Sequence, residues 1–488
     1  MNKGEKMKDT NKIIEKLKKD TNNCSDIVYR TKYITGREIN VIYSEPIISS
    51  DKISDFIMRS LDYIDNKYKT DVDLVSIIKN DISNFKITEF NTYKDLCFYL
   101  HNAFTIILIE NETTGLALET RGNIYRSIST PSTENNLRGP MDAFVENIQL
   151  NLGLVRRRIK SNNLWIKENF IGKYTDTKVC TMYINGIVED TIVNKVDLLL
   201  KKIDIDGIIN SGNIKNLIEK ENKSVFPTIM TTERPDKVSE ALLNGKVAIL
   251  IDGCPFALIF PSVLNDFLKS TEDSFNKSIN VSFTRIVRYI AFIITIFTPG
   301  IYIALITYNQ EMLPTEFLIN FASQRSSVPF PAFFEAILMA LSFELLRESD
   351  VRMPSFTSSA LSIVGALILG EAAVNAGIVS PIMIIVISVT AITGFLFSEP
   401  EITNGIRWYR ILFMIGASIM GIVGVAFVFI YFVIKLCSIE SFGKPYLLPF
   451  VPIDNIGLKN SIIKFNTKKL DKRETYLSSN KIKYKEKD

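Results

Sequence analysis

Apolar residues change their spacing along this chain, and the change divides it. From about residue 46 to 160 two spacings are interleaved. Phe56, Ile57, Leu61 and Ile64 recur at helical intervals. Phe104 to Ile109 is a strand-like run, and after Glu110-Asn111-Glu112 a second run, Gly115 to Leu118, predicts a hairpin. Behind Arg138-Gly139-Pro140, the residues Phe144, Ile148, Leu152, Val155 and Ile159 share one helical face. Pro140 suits a first helical position. Asp142 and Glu146 stand near the start of that helix and Arg156, Arg157 and Arg158 near its end, as the helix dipole favours. These three arginines are candidate contacts between subdomains or within an assembly.

Residues 161–280 read as a second α/β unit. Val179 to Ile184 is a strand candidate, and Val193, Val196, Leu199, Leu200 and Ile203 suggest a helix. Val247 to Ile251 and Phe256 to Phe260 flank Asp252-Gly253, a strong hairpin signal. Asp252, Gly253, Pro255 and Pro261 argue for strands here and against a membrane span. Residues 1–45 read as a leader, disordered or holding one short amphipathic helix over Ile13, Ile14 and Leu17.

Past residue 285 the pattern becomes continuous apolar runs. Four are long enough to cross a bilayer core: 289–308, 356–375, 378–397 and 411–435. Pro299-Gly300 predicts a kink in the first. Ala376-Gly377 leaves room only for a tight helical hairpin, and Trp408 and Tyr409 suit an interfacial belt. The expected architecture is an α/β soluble N-terminal region of two subdomains, followed by an all-α polytopic membrane domain over 285–437 and a basic tail over 455–488.

Residues 328–346 are apolar but hold Pro329, Pro331, Glu335 and Glu344. The two acids lie roughly 180° apart on an ideal helix, so one faces lipid unless protein covers it. The segment reads as a re-entrant element, an interfacial helix or a fifth span. Four spans keep both termini on one side, and Arg285 and Arg288 place that side in the cytoplasm. Arg407 and Arg410 then fall on the outer side, against the trend.

Composition narrows the functions. The chain has 488 residues and a net charge of +4 from 57 basic and 53 acidic side chains, too balanced for a nucleic-acid protein. Its five cysteines are far apart and His101 is the single histidine, which disfavours a metal site or disulfide framework. The residues form no phosphate loop, dinucleotide fingerprint or hydrolase motif, so no cofactor and no enzymatic activity are expected. The start of the chain, charged throughout, does not read as a signal peptide.

The membrane acids and a stripe of small residues are the best candidates. An acid inside a span costs about 2.5–3.5 kcal/mol. Glu371 is read as either a cation-path carboxylate or a packing acid near a helix end. Ser358, Ser362, Ala366 and Gly370 recur every four residues, a spacing that serves either helix packing or a pore lining. Ala417 and Gly421 read as a packing pair. Pro329, Pro331, Glu335 and Glu344 are candidates for a gate or coupling segment, or for a structured loop.

Three stretches carry a resemblance: Arg138-Gly139-Pro140 with 142–164 (DAFVENIQLNLGLVRRRIKSNNL), 228–264 and 313–354. Together they resemble the A subunit of the GerA family of spore germinant receptors, over roughly residues 45–455. The resemblance implies a subunit in the inner membrane of dormant spores, whose N-terminal domain the charge pattern already places on the cytoplasmic side. It also implies a transporter-like B subunit that holds the nutrient, a lipoprotein C subunit, and homo-oligomerisation into a nutrient-gated cation channel. A non-conducting relay subunit and a secondary transporter are the competing expectations.

Overall fold

The computed structural model describes residues 9–68, 73–82, 86–122, 131, 133–134, 138–219, 224–352, 365, 368–397, 399–464, 473 and 477. The chain forms two compact units. The first comprises residues 1–221, 229–261 and 468–488; the second comprises residues 222–228 and 262–467.

The first unit is α/β and holds two five-stranded antiparallel sheets. Strands β1 (Ile27–Ile34), β2 (Arg37–Ser44), β3 (Ile87–Phe90), β4 (Phe104–Ile109) and β5 (Gly115–Glu119) line up as β1-β2-β4-β5-β3. Strands β6 (Leu164–Ile171), β7 (Thr177–Ile184), β8 (Met230–Thr232), β9 (Val247–Ile251) and β10 (Ala257–Phe260) line up as β6-β7-β9-β10-β8. Alternation along a strand sorts side chains to opposite faces. Val41, Ile107 and Ile109 accordingly enter one core, and Ile42, Ile106 and Leu108 enter the other.

The two sheets are an internal repeat. Helix α1 (Tyr93–His101) precedes β4 as helix α2 (Pro235–Leu243) precedes β9, at a constant offset. Ile107-Leu108-Ile109 corresponds to Ile249-Leu250-Ile251. Ala103 (φ 67°) corresponds to Gly245 (φ 92°), and Asn111 (φ 63°) to Gly253 (φ 76°). Left-handed backbone thus recurs at the same two corners of each half.

Two sequence expectations are corrected here. Residues 27–44, read as part of a leader, form β1 and β2 of the first sheet, and the expected amphipathic helix is present at Thr10–Asp20. Edge strand β1 has polar, exposed central positions, which is why it read as solvated chain. The helix expected from Pro140 begins later, as α3 (Ile148–Arg158). Asn147 caps it, accepting from the backbone N–H groups of Gln149 and Leu150. Residues 142–147 stay out of the helix because Asn151 bonds both N–H and C=O of Val145.

The second unit is helical. Helix α4 (Ser278–Thr307) runs unbroken through Pro299 and is about 45 Å long at 1.5 Å per residue. It is followed by α5 (Thr315–Arg325), α6 (Ala332–Arg352) and α7 (Pro381–Gly394). At 14 residues, α7 is about 21 Å long, shorter than the span read over 378–397. Ser380 caps it and Pro381 fills its first turn. The span read over 356–375 lies largely outside the described residues.

The stretch Pro400–Ser438 overturns the fourth span. A continuous helix would hold Tyr409 and Phe432 about 35 Å apart, yet their ring centroids are 4.7 Å apart. The chain reverses at Gly421, where φ 60° and ψ −137° lie outside helical space. We label the arm before this glycine α8 and the arm after it α9. Gly416 and Gly424 let the arms touch: a Cβ on Gly416 would come within 2.7 Å of Val428. Asn309 Oδ1 accepts from the Ile422 N–H at 3.0 Å and caps the returning arm.

Candidate functional site

Contacts inside the helical unit fix which end each helix starts from. Tyr308 and Asn309 meet Gly421, so the end of α4 and the α8–α9 turn share one end, here the distal end. At the other, proximal end, Asp273 accepts from Arg285 Nε at 2.8 Å and Arg288 Nη1 at 3.0 Å. Arg285 also donates to the Asn460 and Ser461 carbonyls, and Ser262 N–H donates to Ser441 Oγ. The chain therefore enters and leaves this unit at its proximal end.

Glu335 and Glu344 show that α6 runs from the distal to the proximal end. Glu335 lies with Ser380, Arg325 and Tyr302, the last of these one turn from the end of α4. Glu344 pairs with Arg407, two turns into α8, at 2.6 Å, and with Arg347. Helix α7 runs the same way: Ser380 is at Glu335, while Thr393 bonds Thr295 at 2.8 Å and Phe397 meets Phe292. The stretch between α6 and α7 therefore has its two flanks at opposite ends.

Glu335 and Glu344 are each held by protein groups, by different means. Glu335 is 1% exposed. Its Oε1 accepts from the Ser380 N–H at 2.7 Å and from the Ser380 hydroxyl. Its Oε2 faces Arg325 Nε across 3.9 Å without a hydrogen bond. Glu344, partly exposed, is held between two guanidinium groups. The sequence dilemma of one acid facing lipid is resolved by arginines from α5 and α8.

Pro329 and Pro331 lie exposed in the connector between α5 and α6, where the Pro331 carbonyl accepts from the Glu335 N–H. Gly370 and Glu371 fall in a widened helical turn, Ile368–Ala372, with Glu371 exposed. Ser358, Ser362 and Ala366 lie outside the described residues. The fold thus brings two of the named acids to arginines that the sequence did not single out, and leaves Glu371 apart. Tyr302, Arg325, Ser380 and Asp273 were missed. The only advance signal among them was Ser380-Pro381, a helix start.

The arginine run of α3 belongs to the α/β unit. Arg156 forms a bidentate pair with Asp26, at 2.8 and 2.9 Å, and donates to the Ser161 carbonyl. Ser44 adds a further bond to Asp26. Burial opposes the Arg156 charge, but Asp26 holds its pKa above the ordinary value. Since Asp26 opens the first sheet and α3 leads into the second, this pair joins the two halves. Arg158 grips Asp142 through both carboxylate oxygens at 2.6 Å. His101 is buried near the same pair, meeting Asn162, and burial with Arg156 nearby pushes it down to about 4.

Residues 15–476 match the family described as Bacillus/Clostridium GerA spore germination protein. Spore germination protein KA of Bacillus subtilis (strain 168) is 37% identical, over 93% of this chain and 84% of that protein. A protein of the same organism described as uncharacterized membrane protein YfkQ is 35% identical, over 92% of this chain and 88% of its own length. The crystal structure of the N-terminal domain of the A subunit of the Bacillus megaterium spore germinant receptor GerK3 is 32% identical. It covers 53% of this chain and 97% of that domain, with a TM-score of 0.42.

Proposed function

Because the chain belongs to the Bacillus/Clostridium GerA spore germination protein family, we propose that it is the A-type subunit of a nutrient germinant receptor. It works in the spore inner membrane with a transporter-like B subunit and a lipoprotein C subunit. The α/β unit stays on the cytoplasmic side. The helical unit crosses the bilayer and, as a homo-oligomer, surrounds a nutrient-gated cation path.

The observation that carries the membrane reading is the back-and-forth course of the helical unit. Among the described residues two stretches are long and apolar enough to cross a membrane, Ser278–Thr307 and Pro400–Ser438, and the second folds back on itself. Helices α6 and α7 add two further passes, both running from the distal to the proximal end, and the chain enters and leaves the unit at one end. Arg285, Arg288, Arg347 and Arg407 all fall toward the proximal end, as a cytoplasmic face requires. The reversal at Gly421 removes the conflict that Arg407 posed. Ile290, Ile293, Ile415, Ile419, Phe427 and Ile430 are exposed, an apolar surface that lipid would cover.

A non-conducting relay is the second reading. It is favoured by Glu335 and Glu344 facing arginines of their own chain. Removing this chain from spores should abolish the response to at least one nutrient, and the restored full chain should recover it. Unchanged germination with every nutrient would refute the receptor role. Planar-bilayer recordings of the complete receptor separate the two readings: nutrient-dependent cation current supports the channel, and a silent bilayer supports the relay.

A further inference from the structure

Three buried polar atoms of the helical unit make no direct hydrogen bond: Glu335 Oε2, Arg325 Nε and the Tyr302 hydroxyl. Glu335 and Tyr302 are 1% and 7% exposed. The Tyr302 hydroxyl lies beside Ser380, within reach of the charges on Arg325 and Glu335. A buried polar group left unmet forfeits the hydration it had in water, so these atoms call for a ligand.

The chemistry selects the ligand. The 3.9 Å from Arg325 Nε to Glu335 Oε2 exceeds the roughly 3.2 Å limit of a direct bond and suits a bridging molecule. A metal ion would face the Arg325 charge and find only two free oxygens, too few for a calcium or magnesium shell. One water meets every requirement. It accepts from the Arg325 Nε–H and the Tyr302 O–H and donates to Glu335 Oε2, the roughly three bonds that buried waters make.

We propose that Glu335, Arg325 and Tyr302 bind one ordered water, and that this bridge fastens α5 to the rest of the helical unit. Among the described residues, little else holds helix α5. None of its residues is buried, and only Leu313, just before it, and Phe321 pack partly against the apolar core. An element with so few buried contacts opens at low cost. The connector that follows contains Pro329 and Pro331, whose rings fix φ, so α5 swings as a stiff arm. The water bridge is its latch.

The test uses the full chain in lipid, with exposed Cys437 and half-buried Cys97 replaced by serine and a reporter Ala332→Cys. Ala332 is fully buried one turn before Glu335, on the same face of α6. A charged methanethiosulfonate reagent reads its exposure. Arg325→Gln, Glu335→Gln and Tyr302→Phe should each raise the labelling rate roughly fivefold, as loss of a bond worth about 1 kcal/mol does. If Arg325→Gln accelerates labelling and Tyr302→Phe does not, the water bridge is wrong and a direct ion pair replaces it. If no variant accelerates labelling, the latch is refuted. An unchanged far-ultraviolet circular dichroism spectrum and melting profile mark each variant's helical unit as folded. Should Arg325→Gln misfold, Arg325→Lys, which lacks Nε–H, carries the same expectation. The readout needs no nutrient and no current, so it stands apart from the receptor reading.

Discussion

Asp26 in the α/β unit and Glu335 in the helical unit are both fully buried carboxylates facing an arginine, and they are finished differently. Asp26 receives two guanidinium bonds and a serine hydroxyl, and its Arg156 also reaches a backbone carbonyl. Glu335 has one oxygen saturated by Ser380 and the other 3.9 Å from its arginine. A complete pair is hard to break because either partner left alone carries an unpaired charge. An incomplete one lies closer to the point of release. The first suits a rigid joint between two halves, the second an element that moves.

The comparison breaks most visibly at the rigid joint. Arg156→Met leaves Asp26 unpaired and should cost about 3–5 kcal/mol, read by urea unfolding of the purified chain. A loss under about 1 kcal/mol would make the two pairs equivalent.

The same joint should sense pH through His101. Its folded pKa of about 4 lies below the ordinary 6.5, so between these values the unfolded chain takes up a proton that the folded chain refuses. Stability is therefore full above pH 6.5 and falls as pH drops toward 4, by on the order of 3 kcal/mol. His101→Gln should flatten that dependence; a slope that survives the substitution would exclude His101 as its source.

Backbone strain extends the comparison. Gly421→Ala should cost roughly 2 kcal/mol, from strained backbone and from a Cβ 2.7 Å from Tyr308, visible as a lower melting temperature in detergent. Gly253→Asn in the α/β unit should stay within about 0.5 kcal/mol. The repeat already places Asn111 at the matching corner, and no atom lies within 4 Å of a Cβ there. Equal costs at both glycines would undo the claim that the Gly421 turn demands glycine.

Several features were legible in the sequence. The hairpins at Asp252-Gly253 and after Ile109 were, because turn chemistry and strand alternation are local. The 247–264 run could be kept out of the membrane for the same reason. The repeat was present in the letters, as Asn102 to Ile109 against Asn244 to Ile251, yet passed unread because only its β4/β9 core is similar. Glu335 stood out as a buried-acid problem. Its partners did not, since Tyr302, Arg325 and Ser380 sit on three other elements and no spacing rule connects them.

The division of the chain into an α/β region and an apolar helical region follows from the sequence alone, because hydrophobic period and turn residues act over a few positions. The tertiary structure decided the rest. It made Pro400–Ser438 a hairpin, because a glycine with positive φ, two glycines at the contact and a cap from Asn309 must coincide in space. It drew β1 and β2 into the first sheet, because an edge strand needs only one buried neighbour. It gave Glu335 and Glu344 their arginines, because a buried charge is satisfied by whatever the fold brings within a few ångströms of it.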